Sequence, residues 1–165
     1  MQERPNRARR PLAIGGEVGW NGLAGLGLGF SYHPIPYLAI DAGAGLGTAG
    51  WKGGLRLRAN LLTSAWTPLV GAGFLYEVGS GGEAVDITTQ GDSAKVEILE
   101  SPYVQLVAGV NYTGDQGFMF MATTGYAILL QDNTRFVSGS SKVYDDVRAL
   151  VGSGLVASVA IGYAF

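Results

Sequence analysis

From Leu155 to Phe165 the chain alternates with a period of two. Leu155, Val159, Ile161, Tyr163 and Phe165 are large and apolar, with Ala157 the small member of the set. Gly154, Val156, Ser158, Ala160, Gly162 and Ala164 stand between them. Successive strand residues point to opposite faces, so this stretch predicts a strand with one greasy face and one face of mostly small residues. The small face is too apolar for water and too slight for a core. Lipid on one side and a narrow lumen on the other satisfy both faces.

The same alternation recurs along the chain. It predicts strands at about Leu12 to Trp20, Leu23 to Tyr32, Tyr37 to Leu46, Gly54 to Leu62, Leu69 to Val78, Pro102 to Tyr112 and Phe118 to Leu130, with Gly154 to Phe165 last. Asn21-Gly22 predicts a tight hairpin, because both residues tolerate positive φ. His33-Pro34-Ile35-Pro36 predicts a turn, since its prolines cannot donate to a ladder. Thr48 to Gly53 reads as a loop, and Ser64 to Pro68 and Gly114 to Gly117 as turns. Two long polar connections remain, residues 79–101 and 131–153. In the first, alternating runs flank Gln90-Gly91-Asp92 and predict a hairpin that prolongs the fifth and sixth strands. The second predicts a small hairpin around Ser138 to Ser141, then a short helix starting at Asp145 or Asp146 and stopping near Gly152.

These elements describe an all-β fold, an eight-stranded antiparallel up-and-down transmembrane β-barrel. Each strand is near the ~9–11 residues that a tilted strand needs to cross a bilayer. The strand charges Glu17, Asp41, Arg56, Arg58 and Glu77 all fall on the face opposite the greasy one. A charge facing lipid near the midplane would cost about 2–4 kcal/mol, so this segregation is what a membrane barrel requires. The two longest connections fall on one side and the short turns on the other, which puts both termini on the short-turn, periplasmic side and the long loops outside. Asn21-Gly22 departs from that trend. Aromatic residues form two candidate interfacial girdles. Phe30, Tyr32, Trp66, Tyr112, Phe118, Phe120, Tyr163 and Phe165 lie near the short turns, and Trp20, Trp51 and Tyr76 near the other rim.

The alternation ending in Tyr163-x-Phe165 resembles the terminal strand of bacterial outer-membrane β-barrel proteins, and the whole pattern is most similar to the small OmpA- or OmpX-type barrels. The resemblance spans about Leu12 to Phe165 and is one of periodicity, loop order and terminus rather than of a sharp motif. It implies a bacterial outer-membrane location among lipid and lipopolysaccharide. It also implies that Tyr163 and Phe165 form part of the signal read by the barrel-assembly machinery. For the outer loops it implies a role in binding an extracellular protein.

Composition narrows the picture. The chain has 165 residues, 47% of them apolar and 27 of them glycine, with no apolar run long enough for a membrane helix. There is no cysteine, which excludes a disulfide framework and thiolate chemistry. A net charge of −2 gives no field for nucleic acid. Residues 1–11 read as a polar tail with solvated arginines, and 12–165 as the barrel; Met1 opens no apolar export signal, so such a signal is expected to have been removed. A closed barrel needs no partner strand, so a monomer is expected.

Candidate chemistry lies in the lumen. Glu17, Asp41, Arg56, Arg58 and Glu77 predict an ion-pair network, with Asp41 beside Arg58 and Arg56 beside Glu77 on adjacent strands. Eight strands leave room for side chains or one small ligand, so the network reads as a plug. The alternative is a narrow channel or carrier for small ions or small hydrophobic molecules, similar to OmpW-type barrels, in the space that Gly25, Gly27, Gly43, Gly71, Gly109 and others leave open. The single histidine, His33, reads as a solvated turn residue on the short-turn rim, and no base–nucleophile pair is evident near the outer rim, so no enzyme is expected. Glu83, Asp86, Asp92, Glu97 and Glu100, with Asp145 and Asp146, match no Ca²⁺ loop and read as solvated acidic faces. No metal or cofactor is expected.

Overall fold

The structure, a computed structural model, describes residues 5–89 and 91–165. Among them, eight antiparallel strands close into a barrel. In chain order these are β1 (Leu12–Trp20), β2 (Leu26–Ile35), β3 (Leu38–Gly47), β4 (Gly50–Asn60) and β5 (Trp66–Glu77), then β8 (Ser101–Thr113), β9 (Phe118–Leu129) and β11 (Gly154–Ala164). Between β5 and β8 come β6 (Ala84–Thr89) and β7 (Asp92–Ile98), and between β9 and β11 come β10 (Thr134–Gly139) and a helix, α2 (Ser141–Val151). A four-residue helix, α1 (Asn6–Arg9), precedes the barrel. The barrel closes where β1 meets β11, in a register running from Ala13 opposite Ala164 to Trp20 opposite Ala157.

The period-two pattern is realised inside out. Leu26 and Leu28 are each 65% exposed and Leu155 is 72% exposed, whereas Arg56 and Arg58 are 1% and 0% exposed. A folded chain in water buries its leucines and exposes its arginines. An apolar exterior this continuous is far larger than the patches of soluble proteins and fits a hydrocarbon surround.

Four local expectations change. Asn21 does adopt a positive φ of 51°, yet no two-residue hairpin forms. β1 and β2 pair only up to Val18 opposite Leu26, and residues 21–25 fold inward so that Leu23 and Ala24 are 1% and 0% exposed. The reason is space: Gly43 and Gly54 carry no side chain where Leu23 sits, and a Cβ on either would stand 3.0 Å from the Leu23 side chain. Second, β2 continues through His33 and Pro34, with a bulge between Tyr32 and Ile35. The missing N–H of Pro34 is tolerated at this irregularity, and the turn shifts to Pro36 and Tyr37. Third, β4 starts at Gly50, whose φ of 111° closes a short connection with Gly47, so Trp51 and Lys52 lie in the strand. Fourth, β5 starts at Trp66, which is opposite Tyr112, leaving residues 61–65 as the turn.

The long connections build one unit beyond the barrel. β10, β7 and β6 form a separate three-stranded sheet in that order. The expected hairpin around Ser138 to Ser141 does not form, because β10 pairs with β7 instead. The Gln90 of the expected β6–β7 turn lies outside the described residues. The helix begins at Ser141 rather than at Asp145 or Asp146. Its register is set by Val143, Val147 and Val151, which fall on one buried face; Val143 and Val147 pack against Ala94 and Val96 of β7.

Candidate functional site

The lumen is filled in layers. Midway along it, β3 presents Asp41 to Arg56 and Arg58 of β4, and the period of two puts all three inside. Arg58 donates Nε–H to Asp41 Oδ2 at 2.9 Å and Nη2–H to Oδ1 at 3.0 Å. Arg56 donates Nε–H to Oδ2 at 3.0 Å, and the Ser31 hydroxyl donates to Oδ1 at 2.7 Å. The remaining Arg58 nitrogen Nη1 donates to Asn60 Oδ1 at 2.9 Å. One carboxylate thus answers two guanidinium groups, and the two-pronged Arg58 contact fixes its geometry.

The other lumen charges are arranged differently from expectation. Arg56 does not pair with Glu77. The β4–β5 register puts Gly73 opposite Arg56 and Lys52 opposite Glu77. The Lys52 ammonium lies 2.8 Å from Glu77 Oε1 with both side chains fully enclosed. Glu77 Oε1 has no hydrogen-bond geometry toward it, so the link is a charge contact, and Oε2 accepts the Ala49 N–H at 3.0 Å. Thr48 to Gly53 reads as a loop in sequence, which hides Lys52; its place directly before Gly53 and Gly54 of β4 is the signal for it. Glu17 is buried, and its Oε1 has no partner. It borders a void of about 10 Å³ shared with Asp41, Arg56 and Met121.

At the loop end, Tyr103 of β8 donates its hydroxyl to Val151 O at 2.6 Å, and Asn133 donates Nδ2–H to the same carbonyl at 2.7 Å. Val151 ends α2, so this grip ties the outer unit to the lumen wall. Between it and the charged layer, Leu23, Leu75, Tyr103, Val107, Ala127 and Val156 pack into an apolar layer.

At the end where the termini lie, one arginine of the basic tail is enclosed rather than solvated. Residues 1–4 lie outside the described residues, but Arg7 of α1 is buried at 1% exposure in the barrel mouth. Its Nη2 donates to Leu62 O at 2.7 Å and Ser64 O at 2.8 Å, and its Nε to Pro36 O at 3.2 Å. Nη1 reaches Ala65 O and Asn111 Oδ1, each at 3.5 Å. Burial, and after it the nearby Arg58, lower the Arg7 pKa to about 10. Arg9 pairs with Asp115 at 3.0 Å, and Arg10 donates to Ala164 O at 3.1 Å. His33, expected in solvent, is 5% exposed within β2, and neither ring nitrogen has a hydrogen-bond partner. The signal for Arg7 was weak: in a chain whose strands carry their charges inward, a basic tail touching the mouth can do the same.

The girdle residues take two positions. At the terminal end Trp66 lies 4.8 Å from Tyr112 and 6.2 Å from Phe120, and Tyr112 lies 6.2 Å from Phe118, ring centre to ring centre. Phe118 is opposite Tyr163, and Phe30 and Tyr32 continue the row on β2. Phe165 exchanges backbone hydrogen bonds with Leu12 at the seam, at 2.8 and 3.2 Å. Trp20, Trp51 and Tyr76 are exposed near the loop end. Among the described residues, no three Asp, Glu or His side chains converge as metal ligands would.

An apolar exterior, a closed meander of eight strands and a charged, packed interior define a small transmembrane β-barrel. One solved structure supports the fold. The chain is similar to the crystal structure of Acinetobacter baumannii CarO, with 13% identity, a TM-score of 0.50, and coverage of 94% of this chain and 98% of that one. It is also matched to A. baumannii CarO2 at 13% identity, covering 94% of this chain and 99% of that one with a TM-score of 0.38. No protein-family model matches the chain, and no curated protein matches it in sequence.

Proposed function

We propose that this protein is an integral barrel of the bacterial outer membrane whose lumen is plugged and whose work is done by the unit beyond the barrel. In this reading the termini face the periplasm and β6, β7, β10 and α2 face outward. The observation that carries it is the filled interior. Asp41 with its two arginines, the Lys52–Glu77 contact and the Leu23 layer occupy successive levels, and the void beside Glu17, Asp41 and Arg56 is about 10 Å³, room for about one water molecule. The inserted Leu23 occupies the space that a conduit for small molecules would need, which favours the plug over the carrier.

The outer sheet supports a surface-binding role. β6 and β10 are its edges, and the residues of both are largely exposed. Such edges are templates for strand addition by an extracellular protein. No catalytic role is proposed, since His33 is enclosed in the barrel wall away from the loop end. The lipid and lipopolysaccharide surround, the assembly-machinery contact through Tyr163 and Phe165, and the monomeric state belong to the same proposal.

The test is planar-bilayer recording of the refolded protein. A silent bilayer with the barrel intact by circular dichroism is expected. Steady conductance steps that vanish in Arg58→Ala would replace the plug with a channel.

A further inference from the structure

Beyond that reading, we infer that the mouth at the terminal end is a binding site for a guanidinium cation, and that Arg7 fills it as a tethered ligand. The site belongs to the barrel, not to the tail. Its acceptors come from three separate places: Pro36 from the β2–β3 turn, Leu62, Ser64 and Ala65 from the β4–β5 turn, and Asn111 from β8. They converge on one planar fork, and all three of its nitrogens find an oxygen. A guanidinium presents five N–H donors in a fixed plane, and a spread of carbonyls around that plane suits it better than it suits an ammonium.

Among the described residues of the tail, Arg7 makes more hydrogen bonds to the barrel than any other. α1 is four residues long, well short of a helix that persists unaided. Its remaining ties include Asn6 Nδ2 to Thr113 O at 2.9 Å, Arg10 Nη1 to Ala164 O at 3.1 Å and the exposed Arg9–Asp115 pair, a surface contact of the kind that contributes little. The guanidinium is therefore the anchor and the helix its tether. The recognised ligand class is an alkylguanidinium, of which the arginine side chain is the natural form.

The experiment uses the full chain carrying Arg7→Ala, refolded in detergent, with ethylguanidinium as the probe and ethylammonium as its control. Thermal unfolding is followed for the variant and for the wild type. The expected result is that millimolar ethylguanidinium raises the midpoint of the variant, leaves the wild type unmoved, and exceeds ethylammonium in its effect. Equal responses of variant and wild type, equal effects of the two cations, or no response of the variant would overturn the proposal. If Arg7→Ala does not refold unaided, the comparison is read as refolding yield: recovery with ethylguanidinium alone supports the site, and equal yields with both cations or with neither overturn it. Conductance of the wild type plays no part in this readout, so a failed plug and a failed guanidinium site give different results.

Discussion

Arg58 holds Asp41 with two parallel hydrogen bonds, 2.9 Å from Nε to Oδ2 and 3.0 Å from Nη2 to Oδ1, in a lumen where both side chains are almost wholly enclosed. Arg56 shares the same carboxylate, so Asp41 is the one acid answering two cations. Removing one member of a buried charge group leaves the others uncompensated, which costs about 3–5 kcal/mol. Asp41→Asn is expected to lose that much stability, read from urea unfolding in lipid vesicles by tryptophan fluorescence. Replacing all three with Leu and Met is expected to recover most of the loss, because well-packed apolar side chains often match a buried ion group in stability. An Asp41→Asn midpoint equal to that of the wild type would show that the triad contributes nothing.

Leu23 gives a second test. It enters the barrel from the loop after β1 and occupies the space above Gly43 and Gly54. Truncating a buried leucine costs about 2–5 kcal/mol through lost transfer energy and the cavity left behind. Leu23→Ala is expected at the lower end, since a loop of five residues can settle into the gap. The same variant should increase water access to the lumen, measurable as faster hydrogen exchange of the β3 and β4 amides. Gly43→Val should act in the same direction by pushing Leu23 out.

The two tests mark where the sequence was readable. Strand number, alternation and the side on which charge lies follow from a period of two, and β1, β3, β8, β9 and β11 begin and end within about one residue of where that period puts them. What the pattern could not carry was pairing across strands. Arg56 and Glu77 sit on adjacent strands, but the register places Lys52 opposite Glu77, and register depends on where β4 begins. Leu23 likewise reads as a strand residue, because Asn21-Gly22 is a strong hairpin signal and nothing local marks a loop that folds inward. Arg7 lay in a polar, Pro-flanked tail, and its burial depends on acceptors 29 to 104 residues away in sequence.

Glu17 is a third case, with the opposite sign. Its Oε1 is buried without a partner, and Arg56 Nη1, bordering the same small void, is also unpartnered. An enclosed carboxylate without full hydrogen bonding is a net cost to the fold. Glu17→Gln keeps the shape and removes the charge, so stability is expected to rise or stay level, by at most about 1–2 kcal/mol. A marked loss in urea unfolding would mean that Glu17 carries a stabilising ionic role with Arg56.

The junction between the outer unit and the barrel rests on one carbonyl. Val151 O is among the last carbonyls of α2, which have no partner within the helix, and it accepts from both Tyr103 and Asn133. Tyr103→Phe removes one donor and leaves the other, so the expected loss is about 1 kcal/mol. Adding Asn133→Ala strips the carbonyl of both while Val151 stays buried at 2% exposure, and the pair should lose more than the sum of the single changes. The effect should be local. Hydrogen exchange of residues 141–151 is expected to quicken in the double variant while the amides of β3 and β4 keep their protection. If the barrel amides quicken equally, the outer unit and the barrel unfold as one body, and any binding role of the sheet would have to be tested with both intact.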